Sequence, residues 1–283
     1  LWVDIFDPHE PWDPPRQYLA PGEQELPWIL YPRFGEADRY SPEELEAIRA
    51  LYRGEVRMAD HWVGRLLKHL DDSGLREDTC VVFLSDHGMF LGEHNLLGKS
   101  SKIGSDLRGW PPYVEVSRIP MMFRVPGLEP GRREALVHPG DVTTTLLELA
   151  GVPRPERMRT PSLAPVLRGD MPGRRPVAVS SWSLRGARTT RPSVVRDAEW
   201  SLVFWRTGVP PELYHRPTDP GETRNVLRGN EREARRLHRE YVRFLQESDT
   251  PAKNYWPRRW LVSWGESGAW QGATQARGAE TRA

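Results

Sequence analysis

The chain has 283 residues, with 40 Lys+Arg against 39 Asp+Glu, a net charge of +1 and 38% hydrophobic residues. At about 150 residues per domain, this is one large domain or one domain with a small companion, apolar enough to bury a core. The balanced charge gives no reason to expect nucleic acid as a partner, no stretch approaches the roughly 18 uncharged apolar residues of a membrane span, and the single cysteine, Cys80, can make neither an intrachain disulfide nor a multi-cysteine metal site.

Leu1–Phe6 reads as the interior of a buried strand, with no Met, basic region or cleavage site ahead of it to suggest a signal peptide. Its Pro-rich continuation, Asp7-Pro-His-Glu-Pro-Trp-Asp-Pro-Pro15, cannot be helical and fixes a rigid path. Ser41-Pro-Glu-Glu44 is a capping box with Pro at the first helical position. It opens a long helix whose apolar positions Leu45, Ile48, Tyr52, Val56, Ala59, Val63, Leu66 and Leu70 follow the helical period, until Ser73-Gly74. Thr79–Leu84 is a continuous apolar run, predicted as a fully buried strand, and Ser85-Asp-His-Gly88 follows directly. Residues 89–118 read as loop, Pro120–Val125 as a strand, and 141–150 as a helix capped by Asp141 and stopped by Gly151. Short strands are predicted at 177–181, 193–196, 201–206 and 212–215, forming a small antiparallel sheet. An amphipathic helix covers 231–245, with Arg232–Arg239 on its solvated face, and residues 265–283 read as a frayed tail. Trp2, Trp62 and Trp205 lie in apolar-patterned segments and are predicted to be core.

Three segments carry residues suited to chemistry. Asp86 and His87 leave a predicted strand at its carboxyl end, where α/β sheets bind ligands. A carboxylate oxygen and an imidazole nitrogen can meet at one cation, with Gly88 allowing the turn; the alternative is an ordinary polar strand-to-loop turn. The loop Leu91-Gly-Glu-His-Asn-Leu-Leu-Gly-Lys99 carries Glu93, His94 and Lys99. Only four of the 40 basic residues are lysines, and Lys99 and Lys102 are two of them. A compact ammonium can neutralise a developing oxyanion in a way the broad guanidinium does not copy. His9, between two prolines, is rigidly aimed and could donate a proton to a leaving group. Trp12 beside it could stack on an aryl or sugar ring or pack the Pro-rich loop.

Together these segments resemble the sulfatase family of the alkaline-phosphatase superfamily. The matching stretches are Asp7-Pro-His-Glu-Pro-Trp12; Thr79–Gly88; Leu91–Lys99; Arg118-Ile-Pro-Met-Met-Phe-Arg-Val-Pro-Gly127; His138–Gly151, with Thr144 where Pro is usual; and Glu212-Leu-Tyr through Asp219-Pro-Gly-Glu-Thr-Arg-Asn225. The resemblance covers roughly residues 1–247. It implies an α/β fold with an alkaline-phosphatase-like mixed sheet sandwiched by helices, plus a small C-terminal antiparallel sheet with one helix. Residues 1–175 would be the C-terminal part of the catalytic domain, 176–250 a small α+β subdomain and 251–283 a partly disordered tail. It further implies that Asp86 and His87 are two ligands of a divalent cation, calcium (Ca2+) in most of the family. Lys99 would contact the sulfate and the leaving oxygen, and His9 would hold or protonate the leaving group. His94 occupies a recurrent family position, read here as support for the metal or substrate site. The substrate would be a small-molecule or carbohydrate sulfate ester.

The family's nucleophile is a formylglycine made within Cys-x-Pro-x-Arg, and the chain has no such motif: Cys80 is followed by Val81-Val-Phe-Leu84. The family's Asp-Asp metal pair is also absent, since Asp71-Asp72 ends a helix as a solvated terminus. The expectation is therefore a sulfatase lacking its N-terminal part, with the first sheet strands missing, an open edge and no turnover as an isolated chain. Two other readings stay open. One is a phosphonate monoester or phosphodiester hydrolase of the same superfamily, with Mn2+ or Zn2+. The other is a non-catalytic paralogue that binds sulfate or phosphate esters. Oligomeric state and compartment are not legible.

Overall fold

The structure is a computed structural model that describes residues 1–103, 106–171, 173, 175–182, 191–205 and 209–261. Its strands are β1 (Gly35–Glu36), β2 (Val81–Leu84), β3 (Phe90–Leu91), β4 (Leu96–Gly98), β5 (Ser100–Ile103), β6 (Asp106–Gly109), β7 (Met121–Arg124), β8 (Ala178–Ser181), β9 (Ser193–Arg196), β10 (Trp200–Phe204) and β11 (Glu212–His215). Its helices are α1 (Pro42–Asp72), α2 (Val114–Ser117), α3 (Gly140–Leu149), α4 (Ala164–Arg168), α5 (Glu231–Glu247) and α6 (Ala252–Tyr255). The 265–283 stretch and Arg206 lie outside the described residues.

The architecture is α/β, and every ladder among the described residues is antiparallel. At the start of α1 the capping box forms as the sequence predicts: Ser41 Oγ accepts from the Glu44 amide, and the Glu44 carboxylate accepts from the Ser41 amide. The apolar stripe is buried over only the first half of the helix, through Glu55; beyond it Val56, Trp62, Leu66 and Leu67 are exposed. The predicted helix at 141–150 starts one residue earlier, at Gly140. Asp141 lies inside it, and its carboxylate accepts from the His138 amide at 2.8 Å.

The sheet β11-β10-β9-β8 has the small C-terminal form that the sequence predicts. Side-chain alternation gives it two buried faces. Val195, Leu202 and Leu213 pack with Leu237, Tyr241 and Leu245 of α5. Val194, Val203 and Tyr214 point the other way, onto Phe90, Leu96, Tyr113 and Val116. A third cluster joins the first half of α1, through Ile48 and Leu51, to Trp12, Leu19 and Leu97. The β3–β4 pair stands between the last two clusters. Phe90 and Leu96 face one, while Leu91 and Leu97, directly opposite each other, face the other.

Three predictions of burial are corrected. Leu1–Phe6 is irregular and exposed rather than a strand, having no ladder partner among the described residues; its end is turned by the His9 amide on the Phe6 carbonyl. β2 forms, but only as a two-stranded ladder with β7, so the opposed pair Phe83 and Met122 is exposed instead of fully buried. Trp2 and Trp62 are 81% and 52% exposed, whereas Trp205 is partly buried in the cluster beneath the C-terminal sheet.

Polar groups buried between these layers tie the last third of the chain to the 85–118 region. Arg196 on β9 forms a two-pronged pair with Glu222, at 2.7 Å on both prongs, and also donates to Ser117 Oγ and the Pro112 carbonyl. Glu222 in turn accepts from the Val114 amide at 3.0 Å. Burial raises the Glu222 carboxyl, but the Arg196 guanidinium and these hydrogen bonds outweigh it and hold the group below its ordinary value of 4.5. Glu212 accepts from Tyr113, Tyr214 and Trp205. The Gly88 amide bonds the Val116 carbonyl at 2.8 Å, and a Cβ on Gly88 would lie 2.1 Å from the Glu115 carbonyl oxygen. The end of α2 therefore sits directly on the Asp86–Gly88 turn.

Two outcomes follow for stability in urea denaturation. Arg196→Met should cost about 3–5 kcal/mol, because it strands a buried carboxylate. The pair's contribution should be complete above the ordinary carboxylate value of 4.5 and lost as pH falls through the lowered Glu222 value. Gly88→Ala should cost roughly 1–3 kcal/mol, because the Asp86–Gly88 turn and α2 cannot both keep their places.

Candidate active site

His9 and Lys99, 90 residues apart in sequence, are in contact: Lys99 Nζ lies 3.2 Å from His9 Nε2. The other ring nitrogen, Nδ1, lies 2.9 Å from the Glu10 carbonyl oxygen, which can only accept, so Nδ1 carries the hydrogen. Nε2 is then the acceptor for the Lys99 ammonium. The Glu10 carboxylate stands 3.4 Å from Nδ1. In this arrangement the proton donor of the pair is Lys99, and the imidazole becomes a donor at Nε2 only after taking up a proton. Lysine suits the position because two of its three ammonium hydrogens remain for a ligand's oxygens.

The loop that carries His9 is held at both ends. Trp12 Nε1 donates to the Pro8 carbonyl at 2.9 Å, and the Trp12 ring stands edge-on to Tyr52 of α1. The Asp13 amide donates to Glu55 of α1 at 2.8 Å. Lys99 is placed by β4. Gly98, opposite Phe90, has a φ of +85°, and the Phe34 ring occupies the space a Cβ would need. Glycine alone fits there, and the chain turns so that Lys99 leaves the ladder.

Asp86 and His87 form the second pair. The Asp86 carboxylate accepts from the His87 amide at 2.7 Å, and its other oxygen lies 3.4 Å from His87 Nε2. His87 Nδ1 is engaged with the Gly88 carbonyl at 2.9 Å, which fixes its hydrogen there and leaves the Nε2 lone pair to coordinate a cation. In kind, these two atoms fit a divalent cation: a hard oxygen and a neutral imidazole nitrogen side by side, with Asp86 83% exposed. In number they fall short of the six or more ligands such an ion takes. Among the described residues, no group of three or more His, Cys, Asp or Glu side chains is arranged around one point. Asp86–His87 and Lys99 leave the same end of the β3–β4 ladder. Phe90 is paired with Gly98, so Lys99 follows one step past that pair and His87 lies three residues before Phe90.

His94 and Trp12 have supporting positions. The His94 ring stacks on Tyr113 with centroids 4.1 Å apart, and its Nε2 lies 3.3 Å from the buried Glu115 carboxylate. That links the Leu91–Lys99 loop to α2, and through α2 to Gly88. Trp12 is 0% exposed, so its ring packs the Pro-rich loop and has no face for a substrate. Sequence reasoning missed Glu55, Glu115 and Arg196. For Glu55 a signal exists: a carboxylate seven residues after Ile48, in the apolar stripe of α1, is a polar group where burial is due. The lysine near Lys99, Lys102, has no described side chain.

Comparison with known proteins covers most of the chain. The Sulfatase family model matches residues 6–152, and the model of the N-sulphoglucosamine sulphohydrolase C-terminal region matches residues 112–248. A Delta 4,5-hexuronate-2-O-sulfatase of Bacteroides thetaiotaomicron is 28% identical over 202 residues, 69% of this chain and 40% of that protein. Arylsulfatase K of Xenopus laevis is 30% identical over 197 residues, 66% of this chain and 35% of that protein. The solved structure of a phosphonate monoester hydrolase of Silicibacter pomeroyi superposes with a TM-score of 0.66 at 25% identity, over 85% of this chain and 54% of that one. The chain thus spans about two fifths or less of the length of these two curated relatives. The first model alone covers more than half of the chain, including both residue pairs described above, and the chain belongs to the sulfatase family.

Proposed function

We propose that the protein hydrolyses sulfate esters and that His9 and Lys99 handle charge and protons at the leaving oxygen. The observation that carries this reading is the 3.2 Å contact between the Lys99 ammonium and His9 Nε2, at the end of the ladder that begins beside Asp86 and His87. Lys99 would bind a sulfate oxygen and the ester oxygen through its remaining hydrogens, stabilising the charge that builds as the S–O bond breaks. His9, with Nδ1 committed to the Glu10 carbonyl, would take up a proton at Nε2, from the Lys99 ammonium beside it or from solvent, and pass it to the same oxygen. The residues described here supply no nucleophile, since the chain carries no Cys-x-Pro-x-Arg. Their work is therefore binding, orientation and proton handling.

Sulfatase-family membership implies a divalent metal. We propose Asp86 and His87 as two of its ligands, with calcium as the ion. Such an ion would supply positive charge to polarise the ester. The His94–Glu115–Tyr113 contacts would support the turn that carries these ligands. Carbohydrate sulfates are the proposed substrate class, because a relative similar over 69% of this chain is named for a sulfated hexuronate. Residues 1–175 would carry the chemistry and 176–250 would brace it, as the Arg196–Glu222 contacts to Ser117 and Val114 suggest. A second reading, phosphonate monoester hydrolysis, is favoured by the likeness to the Silicibacter pomeroyi enzyme.

The test is steady-state kinetics on the complete reading frame with 4-nitrophenyl sulfate and 4-nitrophenyl phenylphosphonate side by side. Sulfate should give the higher kcat/KM. Lys99→Ala should lower it about 100- to 1,000-fold, with little rescue by Lys99→Arg. A calcium chelator should abolish turnover, and added calcium should restore it. Preference for the phosphonate would move the assignment to the second reading. An effect of Lys99→Ala within about twofold would remove Lys99 from the reacting oxygens.

A further inference from the structure

We propose that Glu55 is a positioning residue for His9: it pins the far end of the His9 loop onto α1 and so sets the imidazole against Lys99. The inference deepens the reading above, since it concerns the same site and rests on His9 acting there. Glu55 is 1% exposed, and its Oε1 accepts from the Asp13 amide at 2.8 Å. Its Oε2 is equally buried and has no hydrogen-bond partner. The neighbouring residue is Gly54, where a Cβ would lie 2.6 Å from Pro14 Cγ and 2.8 Å from Leu19 Cδ2. The Pro-rich loop therefore lies directly on the helix backbone at this point, and Glu55 is the polar group that joins the two.

Between Trp12 on the Pro8 carbonyl and Glu55 on the Asp13 amide, the His9 loop has little freedom left. Carrying a buried carboxyl with one unpartnered oxygen is costly, and a hydrophobic residue would pack the helix at less cost. The loop is what Glu55 holds. Its surroundings also set its charge. Burial first, then the charges of Asp7 and Asp13 that face it from the loop, push the carboxyl up to about 7, while the Asp13 amide pulls it down in part. Near neutrality the anchor therefore passes from a neutral acid to a buried anion beside two other carboxylates.

A carboxyl raised in the folded state contributes stability that is complete below its ordinary 4.5 and is lost as pH rises through about 7. The grip on the loop should weaken over that window.

The experiment is amide hydrogen exchange at Asp13 and imidazole 15N shifts of His9, measured by NMR on this chain from about pH 5.5 to about pH 8. It compares the wild type with Glu55→Gln and Glu55→Ala. In the wild type, Asp13 protection should fall with rising pH beyond the intrinsic dependence of exchange. Glu55→Gln keeps an acceptor for the Asp13 amide but cannot ionise, so its protection should stay flat and its His9 shifts native. Glu55→Ala should lose at least about tenfold in Asp13 protection and move the His9 Nε2 signal. If Glu55→Ala fails to fold, the comparison of Glu55→Gln with the wild type decides alone. Parallel pH profiles for those two proteins, or unchanged His9 signals in Glu55→Ala, would overturn the proposal. In the complete reading frame, a His9→Ala variant that retains full sulfate-ester turnover would sink the catalytic reading of His9 and leave the anchoring result standing, so the two failures are distinguishable.

Discussion

The arrangement depends on one pleated hairpin with two buried faces. Successive side chains of β3 and β4 point in opposite directions, and here both directions are occupied. Phe90 and Leu96 enter the cluster beneath the C-terminal sheet, and Leu91 and Leu97 enter the cluster on α1. A slip of one residue in register would exchange the two faces, so the register is strongly specified. Most of the proposed site hangs from one end of this piece. The Asp86–Gly88 turn precedes β3, and Lys99 follows β4 by way of a glycine that yields its side-chain space to Phe34. His9 is brought in from outside, on a loop pressed against α1.

The buried polar groups reinforce the same geometry. In the C-terminal signature, Asp219 accepts from the Thr223 and Arg224 amides, and Asn225 accepts from the Leu213 and Leu227 amides. Glu222, held at a φ of +53°, reaches across to Arg196 and the start of α2. A motif that reads in sequence as a family signature is, in physical terms, a folded turn that satisfies its own backbone and exports one carboxylate. That carboxylate and its arginine fix α2, and α2 lies on Gly88 and faces His94 through Glu115.

Features with local causes were legible in the sequence. The capping box of α1, the short C-terminal strands and the amphipathic α5 all follow from residues within a few positions of one another. The Asp86–His87 pair is likewise adjacent in the chain. The His9–Lys99 contact spans 90 positions, and no periodicity reports such a contact; only the resemblance to a family pointed to it. Burial was the least legible property. An apolar stripe states what a face can bury, and whether it does so depends on partners elsewhere. α1 is covered through Glu55 and bare at Trp62, and β2 pairs with β7 alone among the described residues. Trp12 illustrates the reverse case. The sequence left open whether its ring meets a ligand or packs the Pro-rich loop, and its burial against Tyr52 and the Pro8 carbonyl is the packing.

The Arg196–Glu222 knot bears on how such chains can be recombined. Its guanidinium and its carboxylate both come from the final third of the chain, while Pro112, Val114 and Ser117, which complete their hydrogen bonds, come from the middle. A chimera that joined the front of one sulfatase to the back of another would inherit the ion pair intact but present it with foreign hydrogen-bond partners. The graft would then be judged at α2, far from the splice.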